Sequence, residues 1–419
     1  MEQKTQGWFF EELEDSTNHD LEIQKKMVSS VLTLRYNPTL QPHLPKKNWM
    51  DFTEQSSLKL DAIEISIIES IQNYFSERPE NIAIALSGGV DSTLVLTLLK
   101  QVLPDIPIEA FSIKFANSID ETIQAKKIAD HFNVNHHVVF LENYLSELPK
   151  AISIIEMPLW DLHWYHVVKN ASQYSKFLAS GDGGDELFGG YTFRYKKFLS
   201  LITPESSPQE KINVYLNCHE RDRVPDQEKV FGYKTDFSWE NIYNTLLPFF
   251  DNPLPPLSQV FLADYNGKLL YNFFPVNSKL HNYFHVKSIS PFLNPKIISQ
   301  SNHMPIVDKY SSQTNVGKLQ LRALLKKYGT DVFVSNEKLG FNVNTLNLWK
   351  YFGHKICTEY LSDSRAAKDG WISQNWITNY LHKDNLDVKY VNKLIGLLAF
   401  EIWYRLFITK EMSSEEKLS

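Results

Sequence analysis

NIAIALSGGVDSTLVLTLLKQVL (81–103) decides how the chain folds, because a strand, a turn and a helix follow one another in it without a gap. NIAIAL (81–86) is a short apolar run suited to a strand buried on both faces of a parallel sheet. SGGVDS (87–92) is a turn in which Gly88 and Gly89 let the backbone bend tightly and approach a ligand. STLVLTLLKQVL continues as an apolar helix. The N–H groups of the turn and of the helix start point at an anion, and the helix dipole aids them. Ser87 and Ser92 add hydroxyl donors. Asp91 cannot face a phosphate bare, because two anions in contact repel. A carboxylate there makes sense as a ligand to Mg²⁺ bridging the phosphates, so the expected ligand is a metal-bound polyphosphate.

The same alternation spreads outward. IEAFSIKF (108–115), HHVVFL (136–141) and KFLASG (176–181) read as three further strands. LKLDAIEISIIESIQNYF (58–75) carries apolar residues at helical spacing. SIDETIQAKKIADHF (118–132) reads as an amphipathic helix, with Ser118 and Glu121 forming a capping box. Strands alternating with helices predict an α/β fold with a doubly wound, mainly parallel sheet. Beyond about Arg194 the strand signal fades, and the remainder to residue 410 reads as mainly helical. The expected organisation is an N-terminal extension (1–57) laid over the main domain, an α/β core (58–195), a large helical part (196–410) and a disordered tail (411–419).

Composition narrows the class. With 43% hydrophobic and 22% charged residues, the 419-residue chain has the balance of an ordinary globular protein. A net charge of −6 argues against a broad nucleic-acid surface. The acidic start MEQKTQGWFFEELED has neither the basic beginning nor the apolar stretch of a signal peptide, and no uncharged apolar run reaches membrane-helix length. The two cysteines, Cys218 and Cys357, stand apart without metal-ligand spacing. A cytoplasmic protein, with neither nucleic acid nor membrane as partner, is expected.

A second segment, SGDGGDELFGGYTFRY (180–195), follows the fourth strand and repeats the chemistry of the first. Gly181, Gly183 and Gly184 bring backbone close to a ligand, and Asp182 and Asp185 supply carboxylates to a metal-bound polyphosphate. SGGVDS has no GxxxxGK[ST] and so is not a Walker-type loop. It resembles the PP-loop signature of the adenine nucleotide alpha hydrolase-like fold, and the second segment resembles the asparagine synthetase motif SGEGxDELFGGY. The chain is similar, over roughly residues 58–350, to the synthetase domain of the asparagine synthetase family, which includes β-lactam and carbapenam synthetases.

That resemblance implies an ATP-dependent, AMP-forming amide ligase. A substrate carboxylate attacks the α-phosphorus of Mg-ATP, and ammonia or another amine then displaces AMP. By position, Asp91 and Asp185 would bind Mg²⁺, while Ser87, Gly88, Gly89, Ser92, Ser180 and Gly181 would line the nucleotide. Ile113 falls where the family packs a residue on adenine. Lys318, in GKLQLRALL, and Lys338, in NEKLGF, match lysines that neutralise charge developing at the α-phosphorus. Asp182, one methylene shorter than the family's glutamate, is placed with the catalytic residues.

Two further departures qualify the match. Glu2 stands where glutamine-hydrolysing members carry their nucleophilic cysteine, and only about 80 residues precede the loop, against a glutaminase domain of about 200 residues. Nitrogen is therefore expected from free ammonia, from a separate glutaminase subunit or from an amine substrate. In HVKSISPFLN (285–294), Lys287, Ile289 and Asn294 replace the usual glutamate, arginine and aspartate. Aspartate leads the candidate acceptors, with another small carboxylate close behind. A nucleotide-binding subunit without turnover is the alternative.

Overall fold

The computed structural model describes residues 18–55, 59–219, 223–335 and 343–419. Five parallel strands form one sheet in the order β3-β2-β1-β4-β5, with β1 at Ile82–Ala85, β2 at Ile108–Phe115, β3 at Asn135–Leu141, β4 at Phe177–Ala179 and β5 at Lys287–Ile289. Side chains alternate across it, as pleated strands require. Ile82, Ile84 and Leu86 enter one hydrophobic cluster with Ile63 and Ile67 of α2 (Leu60–Gln72) and Leu94 and Leu98 of α3 (Val90–Val102). Ala83 and Ala85 enter the other cluster with Ile152 of α5 (Leu148–Ile155), Val167 of α6 (His163–Ala171) and Leu394 and Leu398 of the helix Val388–Phe407. Apolar residues on both faces of β1 are what a doubly wound α/β sheet with a large helical C-terminal part needs, and the fold is of that class.

The chain order 3-2-1-4-5 places the reversal of winding between β1 and β4, which pair directly through Ala83–Leu178 and Ile84–Ala179. Loops leaving the carboxyl ends of two such strands open a crevice between them. Here those loops are SGGVDS and SGDGGDE.

Four local expectations differ from the structure. The fifth strand lies in HVKSISPFLN, where three residues are too few for an alternation to register in sequence. The helix expected from Ser118 begins instead at Thr122, as α4 (Thr122–His131), and Asp120 rather than the Ser118–Glu121 box receives the Thr122 N–H, at 3.1 Å. The N-terminal segment is more than a cover: α1 (Asn18–Leu34) buries Val28 and Val31 in the core cluster that contains Phe111 and Leu178.

The tail is also docked rather than disordered. Leu418 is 2% exposed; its N–H donates to Ser146 O at 3.0 Å, and its carbonyl accepts from Asn143 Nδ2 at 2.9 Å. Lys417 pairs with Glu147 and Glu415 with Lys150, both at 2.7 Å, so the charges that suggested solvent exposure are matched on the body of the protein. Leu418→Ala is expected to cost about 2 kcal/mol, at the low end for a buried leucine, and to lower the urea midpoint. An unchanged midpoint would mean that this docking contributes nothing.

Candidate active site

The first loop is built around its own hydroxyls. Gly88 has φ +76°, and Ser87 N and Ser87 Oγ lie 3.3 and 3.2 Å from Ser92 Oγ. Gly89 N donates to Ser87 Oγ at 3.3 Å. These bonds hold the turn closed over the start of α3, whose first N–H groups have no carbonyl one turn back to bond. Asp91 sits in that first turn.

The second loop leads from β4 into α7 (Gly184–Phe188), which carries Asp185 in its first turn. Its glycines let the two loops touch. A Cβ on Gly184 would lie 2.5 Å from the Asp91 carboxyl, closer than any side chain tolerates. A Cβ on Gly190 would lie 1.7 Å from Asp185 Oδ1 and 2.6 Å from Lys318 Cε.

Lys318 completes the centre from far along the chain. It precedes the helix Leu319–Lys327 in the left-handed region, at φ 58°, and its N–H donates to Phe188 O at 3.0 Å. Its ammonium contacts Asp91 Oδ2 and lies 2.6 Å from Asp185 Oδ1. Burial alone would depress this ammonium, but Asp185 and Asp91 beside it hold its pKa above the ordinary lysine value.

The two carboxylates thus converge on a single cation, and the ammonium marks where a metal ion could sit. Among the described residues no third His, Cys, Asp or Glu joins such a group. A pair of carboxylates fits Mg²⁺, which usually takes one or two protein carboxylates and completes its shell with substrate phosphates and water.

Asp182 stands beside this centre in a different environment. Ser180 Oγ and Asn277 Nδ2 donate to its Oδ2 at 2.8 and 2.6 Å. Burial pushes its pKa up to about 6 against those two hydrogen bonds, and Asp91 adds to the rise. Ser180 Oγ also lies 3.2 Å from Ser290 Oγ, which ties the second loop to the residues after β5. Asn277 belongs to the helix Phe274–Tyr283 and had no signal in the sequence, since it meets Asp182 across 95 residues of chain.

Of the residues singled out in the sequence, the structure brings Asp91, Asp185 and Lys318 into contact, with Gly181 packed against Asp91 and Ser180 against Asp182. Ile113 is enclosed in the core of β2, 3% exposed. Lys338 lies outside the described residues. The three substituted positions turn elsewhere. Lys287 is exposed and donates to Tyr74 O at 2.9 Å, Ile289 is fully buried, and Asn294 caps the helix Pro295–Asn302 through Lys296 N.

Comparison with known proteins identifies the family of the chain. The protein-family model described as asparagine synthase matches residues 76–405. Asparagine synthetase [glutamine-hydrolyzing] 1 of Bacillus subtilis (strain 168) is 22% identical across 95% of this chain and 71% of its own length. Asparagine synthetase [glutamine-hydrolyzing] of Gallus gallus is 27% identical across 37% of this chain and 30% of its own. The chain thus spans only part of each relative. Among solved structures, the NH3-dependent NAD synthetase of Campylobacter jejuni overlaps 39% of this chain and 76% of its own at 18% identity, with a TM-score of 0.26 that is too low to bear on function. No helix among the described residues is long and apolar enough to cross a membrane.

Proposed function

The chain belongs to the asparagine synthase family, and from that premise we propose that it is an ATP-dependent carbon–nitrogen ligase that releases AMP and pyrophosphate. The observation that carries the proposal is the convergence of Asp91 and Asp185, one from each glycine loop, on one cation at the carboxyl ends of β1 and β4.

In this reading, the turn Ser87–Ser92 and the start of α3 hold the β and γ phosphates. Ser180 and Gly181 flank the nucleotide, and adenine lies toward Ile113. Asp91 and Asp185 would hold Mg²⁺, which when bound neutralises phosphate charge. The acceptor's carboxylate oxygen attacks the α-phosphorus; a P–O bond forms to it as the bond to pyrophosphate breaks. Lys318, and Lys338 by position, offset the negative charge that builds there.

Ammonia or another amine then adds to the acyl carbon, gives up a proton and expels AMP. Asp182 suits the proton-accepting role, because a carboxylate with a pKa of about 6 is ionised at neutral pH yet basic enough to take a proton. Aspartate is the leading acceptor, followed by another small carboxylate. The amine would be ammonia, free or from a separate glutaminase subunit, in the cytoplasm. Neither a nucleic acid nor a membrane takes part.

The test is incubation with Mg-ATP, ammonium and a panel of carboxylic acids, following pyrophosphate. Release with one acid, and ¹⁸O passing from that acid into AMP, is expected. ATP binding without release for any acid would instead favour a subunit without turnover. That second reading draws on the positions of Lys287, Ile289 and Asn294, which bring no acid or arginine to the centre.

The role of Asp182 has its own test. As the proton acceptor it must be ionised in the free enzyme, so kcat/KM for amide formation is expected to fall about tenfold per pH unit below about pH 6. Asp182→Asn should lower amide formation by about 10²- to 10⁴-fold and leave acid-dependent exchange of labelled pyrophosphate into ATP, which reads the first step alone, in place. Equal loss of both half-reactions would move Asp182 to the first step.

A further inference from the structure

The cation between Asp91 and Asp185 is part of the protein itself, and this bears on the order in which ligands load. The Lys318 side chain is 11% exposed, and its ammonium contacts Asp91 Oδ2 while lying 2.6 Å from Asp185 Oδ1. Its position is held at both ends. The backbone is fixed by the Lys318 N–H to Phe188 O bond and the Arg322 N–H to Lys318 O bond, at 3.0 and 2.9 Å. The side chain runs past Gly190, where even a methyl group would collide with Lys318 Cε at 2.6 Å. The carboxylates that would ligate a divalent ion are therefore engaged by a cation that the protein itself carries, which offsets one of their two charges.

An ammonium and a divalent cation cannot share these oxygens. An ion held through Asp91 Oδ2 and Asp185 Oδ1 would have to compete with the ammonium for them, against the repulsion of like charges. A triphosphate changes the balance. Its oxygens offer the ammonium a new partner across the crevice, and the lysine stem needs only rotamer changes to reach it. Asp91 and Asp185 are then released to the metal.

We propose that Lys318 is a resident counter-cation that keeps divalent metal out of the Asp91–Asp185 pair until nucleotide arrives, so that metal and nucleotide enter together. The proposal rests on the metal assignment made above. It gives Lys318 a second duty, in loading, besides its part in charge neutralisation. It also predicts that free Mg²⁺ does not prime the site.

Mn²⁺ binding to the full chain, read from the electron paramagnetic resonance signal of the free ion, tests this without turnover. Without nucleotide, the wild type is expected to bind Mn²⁺ no more tightly than about 1 mM, the weak end of protein sites for divalent ions. With α,β-methylene-ATP, which cannot be cleaved at the α-phosphorus, one ion per chain should be retained. Lys318→Met should raise the nucleotide-free affinity at least about tenfold, as removal of a like charge from the ion's position requires. Adding Asp91→Asn to that variant should abolish the gain. Lys318→Gln, which keeps a polar side chain, serves in the same experiment if the methionine variant does not fold.

Wild type binding Mn²⁺ without nucleotide as tightly as either Lys318 variant would overturn the loading role and leave the metal assignment standing. Retention of no ion by any of the proteins, even with the analogue, would overturn the metal assignment and the loading role with it.

Discussion

Asp91→Ala is expected to lower pyrophosphate release by about three orders of magnitude while the protein stays folded. A bound divalent ion contributes several kcal/mol of charge stabilisation, and each 1.4 kcal/mol is about a tenfold change in rate. Among the described residues, Asp91 is one of two carboxylates that meet at Lys318. Its removal would leave the metal a single protein ligand and shift Lys318 toward Asp185. The cost to the fold is small by comparison. A carboxylate in the first turn of a helix is worth about 0.3–1 kcal/mol, and the hydroxyl bonds of Ser87 and Ser92 that shape the turn do not involve Asp91. Pyrophosphate release and a thermal melt, measured together on this variant, check the expectation. A wild-type rate would refute the metal assignment, and a lost melting transition would show that Asp91 is structural.

Gly184→Ala should be nearly as severe, for a steric reason. The added methyl would stand 2.5 Å from Cγ and Oδ1 of Asp91, where the carboxyl group or one of the two loops must give way. Gly184 begins α7 and Asp91 lies in the first turn of α3, so displacement of either carries a carboxylate of the proposed metal pair with it. Misplacing a reacting constellation by about 1 Å costs on the order of 10²-fold, and a loss of at least that size in pyrophosphate release is expected. Gly396→Ala is the matched control. It lies within the helix Val388–Phe407 with nothing inside 4 Å of the new Cβ, and alanine is favoured over glycine there by up to about 1 kcal/mol. That variant should keep its rate and hold or raise its urea midpoint. Equal rates in the two variants would mean that the contact between the loops does not serve the chemistry.

Both predictions concern residues visible in the sequence, and their context explains why. In residues 81–103 and 176–195, strand, turn and helix are decided within about twenty neighbouring residues. Apolar runs, paired glycines and a helix start act locally, so their order can be read directly. Where no local device existed, reading failed. β5 has three residues, α1 shows no sustained period, and the polar tail gave no sign that Leu418 and Met412 would be buried. The Ser118–Glu121 box failed for the opposite reason: two capping devices overlap, and Asp120, nearer to Thr122, takes the N–H.

The sequence by itself determined the α/β class, the two glycine loops and the carboxylates they carry, because each depends on neighbours along the chain. Only the tertiary structure decided that these carboxylates meet. Lys318 joins Asp91 across 227 residues, and Asn277 joins Asp182 across 95. Contacts at such separations follow from which helix faces pack on which side of the sheet, and from the direct pairing of β1 with β4 that sets the two loops side by side. A lysine read in sequence is a positive charge near a helix. In the folded chain it is the cation on which both carboxylates close.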